Sequence, residues 1–342
     1  MKKIFILFMI AACQSVAVFA QDNQTPYLTK SLSADAISSV VVNTTAGGIQ
    51  VSGESGQWPR IEVYIRGNHN RELSKEEIKK RLDEDYDMNI TVSGHELNAT
   101  VKNKHRNGNW DDNISISFKI YVPENVSTDL HTSGGGISLD HLKGNETFNT
   151  SGGGLAINTL SGVIRGKTSG GGIEVSNSSE DIDLRTSGGG IEAKNCSGTI
   201  FLETSGGGLK LEDLKGKINA HTSGGGIEGR RIDGELITGT SAGGISIREM
   251  DGSLEATTSA GGLDVEMNHV SKYIKLEANA GNINLRLPSK QGFALNLTAK
   301  KINDKVSGFS GDWTKTSVNG NVNGGEIPVT AHSDDRLDID FN

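Results

Sequence analysis

The sequence predicts an all-β fold, a parallel β-solenoid wound as a right-handed β-helix. An 18-residue unit recurs eight times between Thr132 and Leu263 without an insertion or deletion, and a fixed period this short is typical of a solenoid. Apolar and polar residues alternate within the unit, which is the period of a β-strand. Each unit also opens on a glycine-rich phrase of the kind that forms tight corners. Right-handed winding is the usual sense for parallel crossover connections.

Each unit begins Thr-Ser-Gly-Gly-Gly or Thr-Ser-Ala-Gly-Gly, and we number its positions from the threonine. The eight units begin at Thr132, Thr150, Thr168, Thr186, Thr204, Thr222, Thr240 and Thr258. Apolar residues recur at positions 6, 8, 11, 15 and 17, which predicts two short strands per coil and two corners. We expect the glycines to supply a positive φ at a corner and to let the backbones of successive coils approach closely. Position 1 shares the inward parity of positions 15 and 17, so its threonines should stack at the edge of the core.

The unit has degenerate copies on both sides of the block. Residues 40–51 match it before the block, and residues 274–285 match it afterwards, following a two-residue insertion. Between the first copy and the block, a capping box at Ser74 to Glu77 predicts a helix over 74–86. Residues 90–101 predict a hairpin that turns at Ser93-Gly94. A further strand is predicted over 114–122.

The segment after Pro288 loses the period. Residues 293–297 and 337–341 predict strands, and two Asn-Gly pairs, at Asn319 and Asn323, predict turns. The expected organisation is, in order, a signal peptide (1–20), a linker (21–35), the first solenoid coils (36–67), a cap or insertion with a helix and a hairpin (68–131), the regular solenoid (132–287), and C-terminal coils or a cap (288–342).

The first 20 residues have the pattern of a secretory signal peptide. Met1-Lys-Lys precedes an apolar stretch, and Val18-x-Ala20 is a suitable cleavage site. An alternative is a lipid anchor at Cys13, which ends a lipoprotein-like box; the apolar residues that follow Cys13 favour ordinary cleavage. The protein is therefore expected to be exported to the periplasm, the outer-membrane surface or the medium. No later segment is long and apolar enough to span a membrane.

Composition restricts the partners. The formal net charge is -8, and it becomes more negative when Lys2 and Lys3 leave with the signal peptide, which disfavours binding to nucleic acid. Cys196 is the only cysteine of the expected mature chain, so no disulfide framework is predicted. Its position 11 is an inward one, where we expect a small core residue.

Two rows of outward residues are the candidates for binding. Position 7 carries Glu174, Glu192, Glu228 and Asp264. Glu174 and Glu192 should lie about 5 Å apart in a parallel ladder, where they could hold a cation or a sugar hydroxyl, although a solvated polar face is the favoured interpretation. Position 9 carries Lys194, Glu212, Arg230 and Arg248, a mixed row that predicts ion pairs.

Three tryptophans lie outside the regular units, at Trp58, Trp110 and Trp313. They could mark a carbohydrate-contact surface near the caps, but burial under a cap is the favoured interpretation. No catalytic residue, cofactor site or metal site is predicted. The histidines lack metal-ligand spacing, no nucleophile elbow is present, and the Gly-Gly-x-Gly-x-Asp phrase of calcium-binding β-rolls lacks its aspartate.

The signal peptide, the Val122-Pro123 lead-in to Leu130, and the Thr-Ser-Gly-Gly-x-Ile units together resemble the putative-adhesin family of exported bacterial β-strand-repeat domains of unknown function. The resemblance covers residues 36–341 and implies a parallel β-helix at the cell envelope. It implies no catalytic residues, and the third glycine stands where family members often carry aspartate.

The favoured function is a non-enzymatic, adhesin-like binding or structural solenoid of the cell envelope, whose partner is a surface glycan or a protein. Self-association through the terminal coils is a further expectation, because exposed strand edges invite pairing. The alternatives are a polysaccharide lyase or hydrolase built on a β-helix, and a passive periplasmic scaffold with a protein partner. An enzyme needs a walled cleft, and within this sequence only residues 68–131 could supply the walls.

Overall fold

The computed structural model describes residues 25–342 except 54–55, 57, 69–70, 105–112 and 304. These residues form a parallel β-solenoid of about nine turns, which confirms the predicted fold class. The right-handed sense stays a prediction. The expected signal peptide and Cys13 lie outside the described residues.

The described residues form one helix and 23 strands. The helix is α1 (Lys75–Asp85), and the strands are β1 (Leu28–Ser31), β2 (Ser39–Thr44), β3 (Ile49–Ser52), β4 (Arg60–Gly67), β5 (Tyr86–Ser93), β6 (Glu96–Asn103), β7 (Ile114–Tyr121), β8 (Ser127–Thr132), β9 (Ile137–Thr150), β10 (Leu155–Thr168), β11 (Ile173–Ser176), β12 (Ser179–Thr186), β13 (Ile191–Lys194), β14 (Ser197–Thr204), β15 (Leu209–Thr222), β16 (Ile227–Thr240), β17 (Ile245–Thr258), β18 (Leu263–Ala278), β19 (Ile283–Leu287), β20 (Phe293–Ile302), β21 (Phe309–Trp313), β22 (Ser317–Val322) and β23 (Ile327–Phe341).

Successive coils pair in parallel, 18 residues apart and in register. Positions 6 to 9 form one ladder, the short ladder, in which Leu155 pairs with Ile173. Positions 12 to 1 of the next unit form a second ladder, the long ladder, in which Ile164 pairs with Ile182. The apolar residues at the inward positions of both ladders are buried, and those at positions 6, 8, 11 and 15 of the fifth unit are 1–2% exposed. The aliphatic side chains therefore fill the space between the two ladders, as the alternation predicts.

The glycine triplet allows close stacking, and the positive φ angles occur elsewhere. A Cβ atom at position 4 would overlap the carbonyl oxygen of the same glycine in the preceding coil, whereas a Cβ at position 3 meets its nearest atom at 3.0–3.8 Å in the first six units. This explains why alanine replaces glycine at position 3 in the last two units. The prediction that the triplet supplies a positive φ is wrong within the eight units, because the left-handed residues lie at positions 10 and 13.

The second corner bends without ending the strand in most coils. Seven residues at position 10 have φ between 52° and 56°, and they share no residue type: His141, Thr159, Asn177, Asn195, Asp213, Arg231 and Glu249. The third and fourth coils differ, since their strands break at this corner into β11 and β12, and into β13 and β14. There the backbone N–H of Leu160 donates to the Ser178 hydroxyl at 3.1 Å, so a side chain replaces a backbone acceptor of the ladder.

The threonines of position 1 are buried at the core edge, as their parity predicts, and are 0–6% exposed. Their hydroxyls do not bond to one another. Each donates instead to the carbonyl oxygen of a position-4 glycine in the preceding coil, at 2.6–2.9 Å. In six units the hydroxyl also accepts from the position-4 N–H of its own coil at 3.3–3.4 Å. Each hydroxyl thus joins two successive coils.

At the N-terminal end, the coil that lies outermost is not the first in sequence. Strands β6 and β7 pair in parallel with β2 and β3, and β8 and β9 pair with the other edges of β2 and β3. The first coil of the chain is therefore enclosed between two later ones. Part of the predicted insertion is itself a solenoid coil, which the sequence analysis did not resolve. Strands β4 and β5 cover this outermost coil in antiparallel pairing.

Helix α1 joins β4 to β5 and begins where the capping box predicts. The Ser74 side chain accepts from the Glu77 backbone N–H, and Ile78 is buried. Tyr86 belongs to β5 rather than to the helix. The predicted hairpin turn is wrong by one residue, because Ser93 pairs with Glu96 and the turn residues are Gly94 and His95.

At the C-terminal end, β23 returns to lie between the last regular coil and β20, and β22 and β21 continue this edge in antiparallel pairing. The two-residue insertion is confirmed, since Thr258 pairs with Ala278. Asn323 has φ 48° and lies in a turn, as predicted. The prediction of a turn at Asn319 is wrong, because β20 and β21 flank that residue and hold it in an extended strand.

Candidate binding groove

The glycine corners of successive coils form a straight groove. Positions 3 to 5 are glycine, except for alanine at position 3 of the last two units, so little side chain covers the backbone there. The outward side chains of position 7 form one wall of the groove. One segment of the groove, of about 860 Å³, runs from Gly136 to Glu228, and a second, of about 550 Å³, runs from Gly226 to Asn284. Because the 18-residue register is kept throughout the eight units, the groove is continuous along the array.

The position-7 row lies along this groove, and the predicted neighbours meet. Glu174 pairs with Glu192 in the short ladder, and Glu192 pairs with Lys210. Lys210 Nζ lies 2.7 Å from Glu192 Oε1, and this hydrogen bond raises the pKa of the lysine. Glu192 is therefore engaged by a lysine of the chain itself. Among the described residues, no group of three or more His, Cys, Asp or Glu side chains could hold a metal ion.

The position-9 row forms the ion pairs that its mixed charges predict. Lys194 lies 3.7 Å from Glu212. Arg230 binds Glu249 at 2.7 Å, and Arg248 binds Asp264 of the position-7 row at 2.9 Å. Apart from Glu212, whose side chain is 24% exposed, these side chains are 36–59% exposed, so each pair contributes little to stability.

Cys196 lies in the core, as its inward position predicts. It is 1% exposed, and its thiol faces the carbonyl oxygen of Lys194 at 3.3 Å. Burial raises the pKa of the thiol, which keeps it in the unreactive protonated form.

The tryptophans fall into different environments. Trp313 lies in the C-terminal cap, where its indole N–H donates to the Asn303 carbonyl at 3.0 Å and its ring packs edge-on against Phe309. Trp58 is 79% exposed, so the prediction of burial is wrong for this residue. It lies two residues before β4, and most of its side chain faces solvent. Trp110 lies outside the described residues.

Residues 68–131 are the part of the sequence that could supply the walls of an enzyme cleft, but most of them form other structures. Within residues 68–131, the described part forms the helix, the outermost coil and its antiparallel cover. Sequence reasoning also missed Glu146, a fully buried carboxyl group in the core. The available signal was its charge at position 15, where the following units carry isoleucine or leucine.

The fold and the groove define a repeat-built parallel β-solenoid with an open groove along one corner. Residues 37–334 match the family described as Toastrack DUF4097, and the chain belongs to that family. This confirms the resemblance drawn from the repeated units. Among the described residues, no helix has the length and apolar character needed to cross a membrane.

No curated protein matches the chain. Among solved structures, it is similar to a "putative cell adhesion protein" from Clostridium sporogenes ATCC 15579. The two chains share 11% identity over 92% of this chain and 98% of that one, with a TM-score of 0.20. A TM-score this low carries no argument about fold or function.

Proposed function

We propose that this protein is a non-enzymatic, exported component of the cell envelope that binds an extended ligand, a surface glycan or a protein segment, along the groove of its glycine corners. The observation that carries the proposal is the continuity of the groove. The same glycine corner recurs at every coil of the array, which suits an extended polymer better than a compact substrate. The N-terminal signal-like sequence supports export.

The binding part of the proposal can be tested on arrays of glycans and envelope proteins. The purified protein should be retained by one ligand class, and the double variant Glu174→Lys with Glu228→Lys should lose that retention, because both side chains lie on the groove wall. A matched control, Asp312→Lys with Glu326→Lys, makes the same charge change at exposed positions of the C-terminal cap. It should bind like the wild type.

The proposal fails if the wild type is retained by nothing on the arrays, or if the groove and cap variants bind equally well. Release of product from any polysaccharide on the array would favour an enzyme instead.

The location is tested separately by fractionation of producing cells and by protease treatment of intact cells. Export predicts that the protein is absent from the cytoplasmic fraction and begins after residue 20. A cytoplasmic chain that retains its first residues would contradict it.

A further inference from the structure

Glu146 occupies a core position. It lies at position 15 of the first unit, in β9, and its exposed fraction is 0%. The equivalent residue is aliphatic in each of the seven following units, the last of them after the two-residue insertion: Ile164, Ile182, Ile200, Ile218, Leu236, Leu254 and Ile274. A carboxyl group at this position costs free energy on burial unless it is neutral or fully paired.

One oxygen of this carboxyl has a hydrogen-bond partner and the other has none. Thr128 lies directly opposite in β8, and its hydroxyl donates to Glu146 Oε2 at 2.5 Å. Oε1 has no hydrogen-bond partner among the described residues. The space beside Gly144, where a Cβ atom would stand, is bounded by Glu146 Oε1, the Ser127 hydroxyl and the Val126 carbonyl oxygen, each 2.9–3.0 Å away. The carbonyl oxygen among these neighbours only accepts hydrogen bonds, and a protonated carboxyl is the form that needs no compensating charge in the core.

The charged groups of the neighbouring elements point outward and form pairs of their own. Asp129 lies 2.8 Å from His131 on β8, Lys143 of β9 lies 2.8 Å from Glu124, and Asp140 lies 2.9 Å from His141. Arg165 of β10 binds Asp181, and the side chains of β2 (SVVVNT) are all uncharged. None of these groups compensates a charge on Glu146.

The pKa agrees with the geometry. Burial raises the pKa of Glu146 to about 7, although the hydroxyl and the backbone of Thr128 act in the opposite direction.

We propose that Glu146 is a neutral carboxylic acid in the folded protein, and that with Thr128 it forms a proton-dependent clasp between the N-terminal coils and the regular array. Strand β8 is the place where these parts meet, because it pairs with β2 on one edge and with β9 on the other. Loss of the proton leaves an uncompensated charge inside this junction, so the β8–β9 region opens more readily at alkaline pH. The inference is independent of the proposed binding function.

The direction of the pH dependence follows from linkage. The folded pKa of about 7 lies above the ordinary value of 4.5, so the contribution to stability is complete below about pH 4.5 and is lost as the pH rises through 7. Between pH 5 and pH 8 the equilibrium constant for opening the junction should rise on the order of 50-fold.

Hydrogen exchange followed by mass spectrometry tests the clasp. After correction for the intrinsic exchange rate, the protection of β8 and of residues 146–150 should fall on the order of 50-fold from pH 5 to pH 8. The protection of β16 and β17, far along the array, should stay constant and serves as an internal control.

Two variants separate the contribution of Glu146 from that of every other titratable group. Glu146→Gln keeps the acceptor for Thr128 without an ionisable group, and Glu146→Ile restores the residue type of the following coils. Both should show the same protection at both pH values, while Glu192→Gln, an exposed carboxyl, should behave like the wild type.

Direct titration of the Glu146 carboxyl by carbon NMR provides a measurement on the unsubstituted protein. A midpoint near 7 supports the clasp. A midpoint near 4.5, or an equal loss of protection in the wild type and Glu146→Gln, would overturn it.

Discussion

Single hydroxyl groups connect the coils of this solenoid. The Thr204 hydroxyl donates to the Gly189 carbonyl at 2.6 Å and accepts from the Gly207 N–H at 3.4 Å. Both partners are part-buried at the edge of the core. The same spacing of threonine and glycine in every unit is therefore explained by two hydrogen bonds of the hydroxyl, one between coils and one within the coil.

Thr204→Val keeps the shape of the side chain and removes the hydroxyl. It should lower the free energy of unfolding by about 1 kcal/mol, because it removes a hydrogen bond to a part-buried carbonyl and a longer one from a part-buried N–H. Thr204→Ser retains the hydroxyl and should cost less than Thr204→Val. Chemical denaturation of the three proteins checks the order, and a valine variant as stable as the serine variant would contradict the role given to the hydroxyl.

Glu180 is held in a strained backbone conformation. Its φ is 85° at position 13, where glycine occurs in five other units with φ between 109° and 147°. Side chains are disfavoured in this region of φ, and such strain costs roughly 1–3 kcal/mol.

Glu180→Gly should therefore stabilise the protein by about 1 kcal/mol. The same substitution on ordinary strand backbone, Glu174→Gly, should destabilise it by about 0.5–1 kcal/mol. Thermal unfolding of both variants shows whether each substitution raises or lowers the stability relative to the wild type. Destabilisation by Glu180→Gly would show that the strain is absent.

At the scale of the strand and corner, close stacking of backbones decides which glycine is essential. Gly152 and Gly153 are adjacent residues at positions 3 and 4 of the same unit. A Cβ at Gly153 would overlap the Gly135 carbonyl oxygen, whereas one at Gly152 would lie 3.5 Å from its nearest neighbour.

Gly153→Ala should cost about 3 kcal/mol, because the obstruction is backbone that cannot move aside. Gly152→Ala should change the free energy of unfolding by less than about 1 kcal/mol, as the alanines already present at position 3 of later units suggest. Equal effects of the two substitutions on the urea midpoint would refute this account of the corner.

The sequence predicts the elements well wherever one residue type recurs at one position. The alternation of apolar and polar residues predicted the strands of both ladders, and the capping box at Ser74 predicted the start of the helix. The second corner was not predictable, because the left-handed residues of position 10 share no side-chain chemistry. The turn expected at Asn319 failed because tertiary pairing on both sides overrides a local turn signal. The wall of the groove was predictable from the parity of position 7, but the pairing of Glu192 with Lys210 depends on rotamers that parity does not determine.

At the scale of the whole molecule, antiparallel strands and side-chain hydrogen bonds cover part of the strand edges at both ends of the array. Lys30 donates to the Ile90 carbonyl of β5 at 3.2 Å. At the other end, the Asn303 side chain donates to the Ile339 carbonyl at 2.9 Å and accepts from the Ile339 N–H at 3.2 Å. An amide side chain thus takes the place of the next strand, which is one way to prevent edge-to-edge association.

These contacts at the ends predict that the protein is a monomer in solution. The sequence, in contrast, leads to the expectation of self-association through the terminal coils. Asn303→Ala exposes the N–H and carbonyl of Ile339 and should increase concentration-dependent self-association. Sedimentation velocity over a range of concentrations checks both statements. End-to-end oligomers of the wild type, or no change in the variant, would contradict the role of Asn303.

The central claim is that equivalent positions of successive coils stack in register along a straight array. Distances between spin labels test it most directly. Cysteines are introduced at Ser138 and, in turn, at Lys210, Ser246 and Asn284, which are all position-7 residues separated from Ser138 by four, six and eight coils. The account predicts narrow distributions near 19, 29 and 38 Å, at about 4.8 Å per coil. Broad distributions, or distances that do not increase in equal steps with the number of coils, would contradict it.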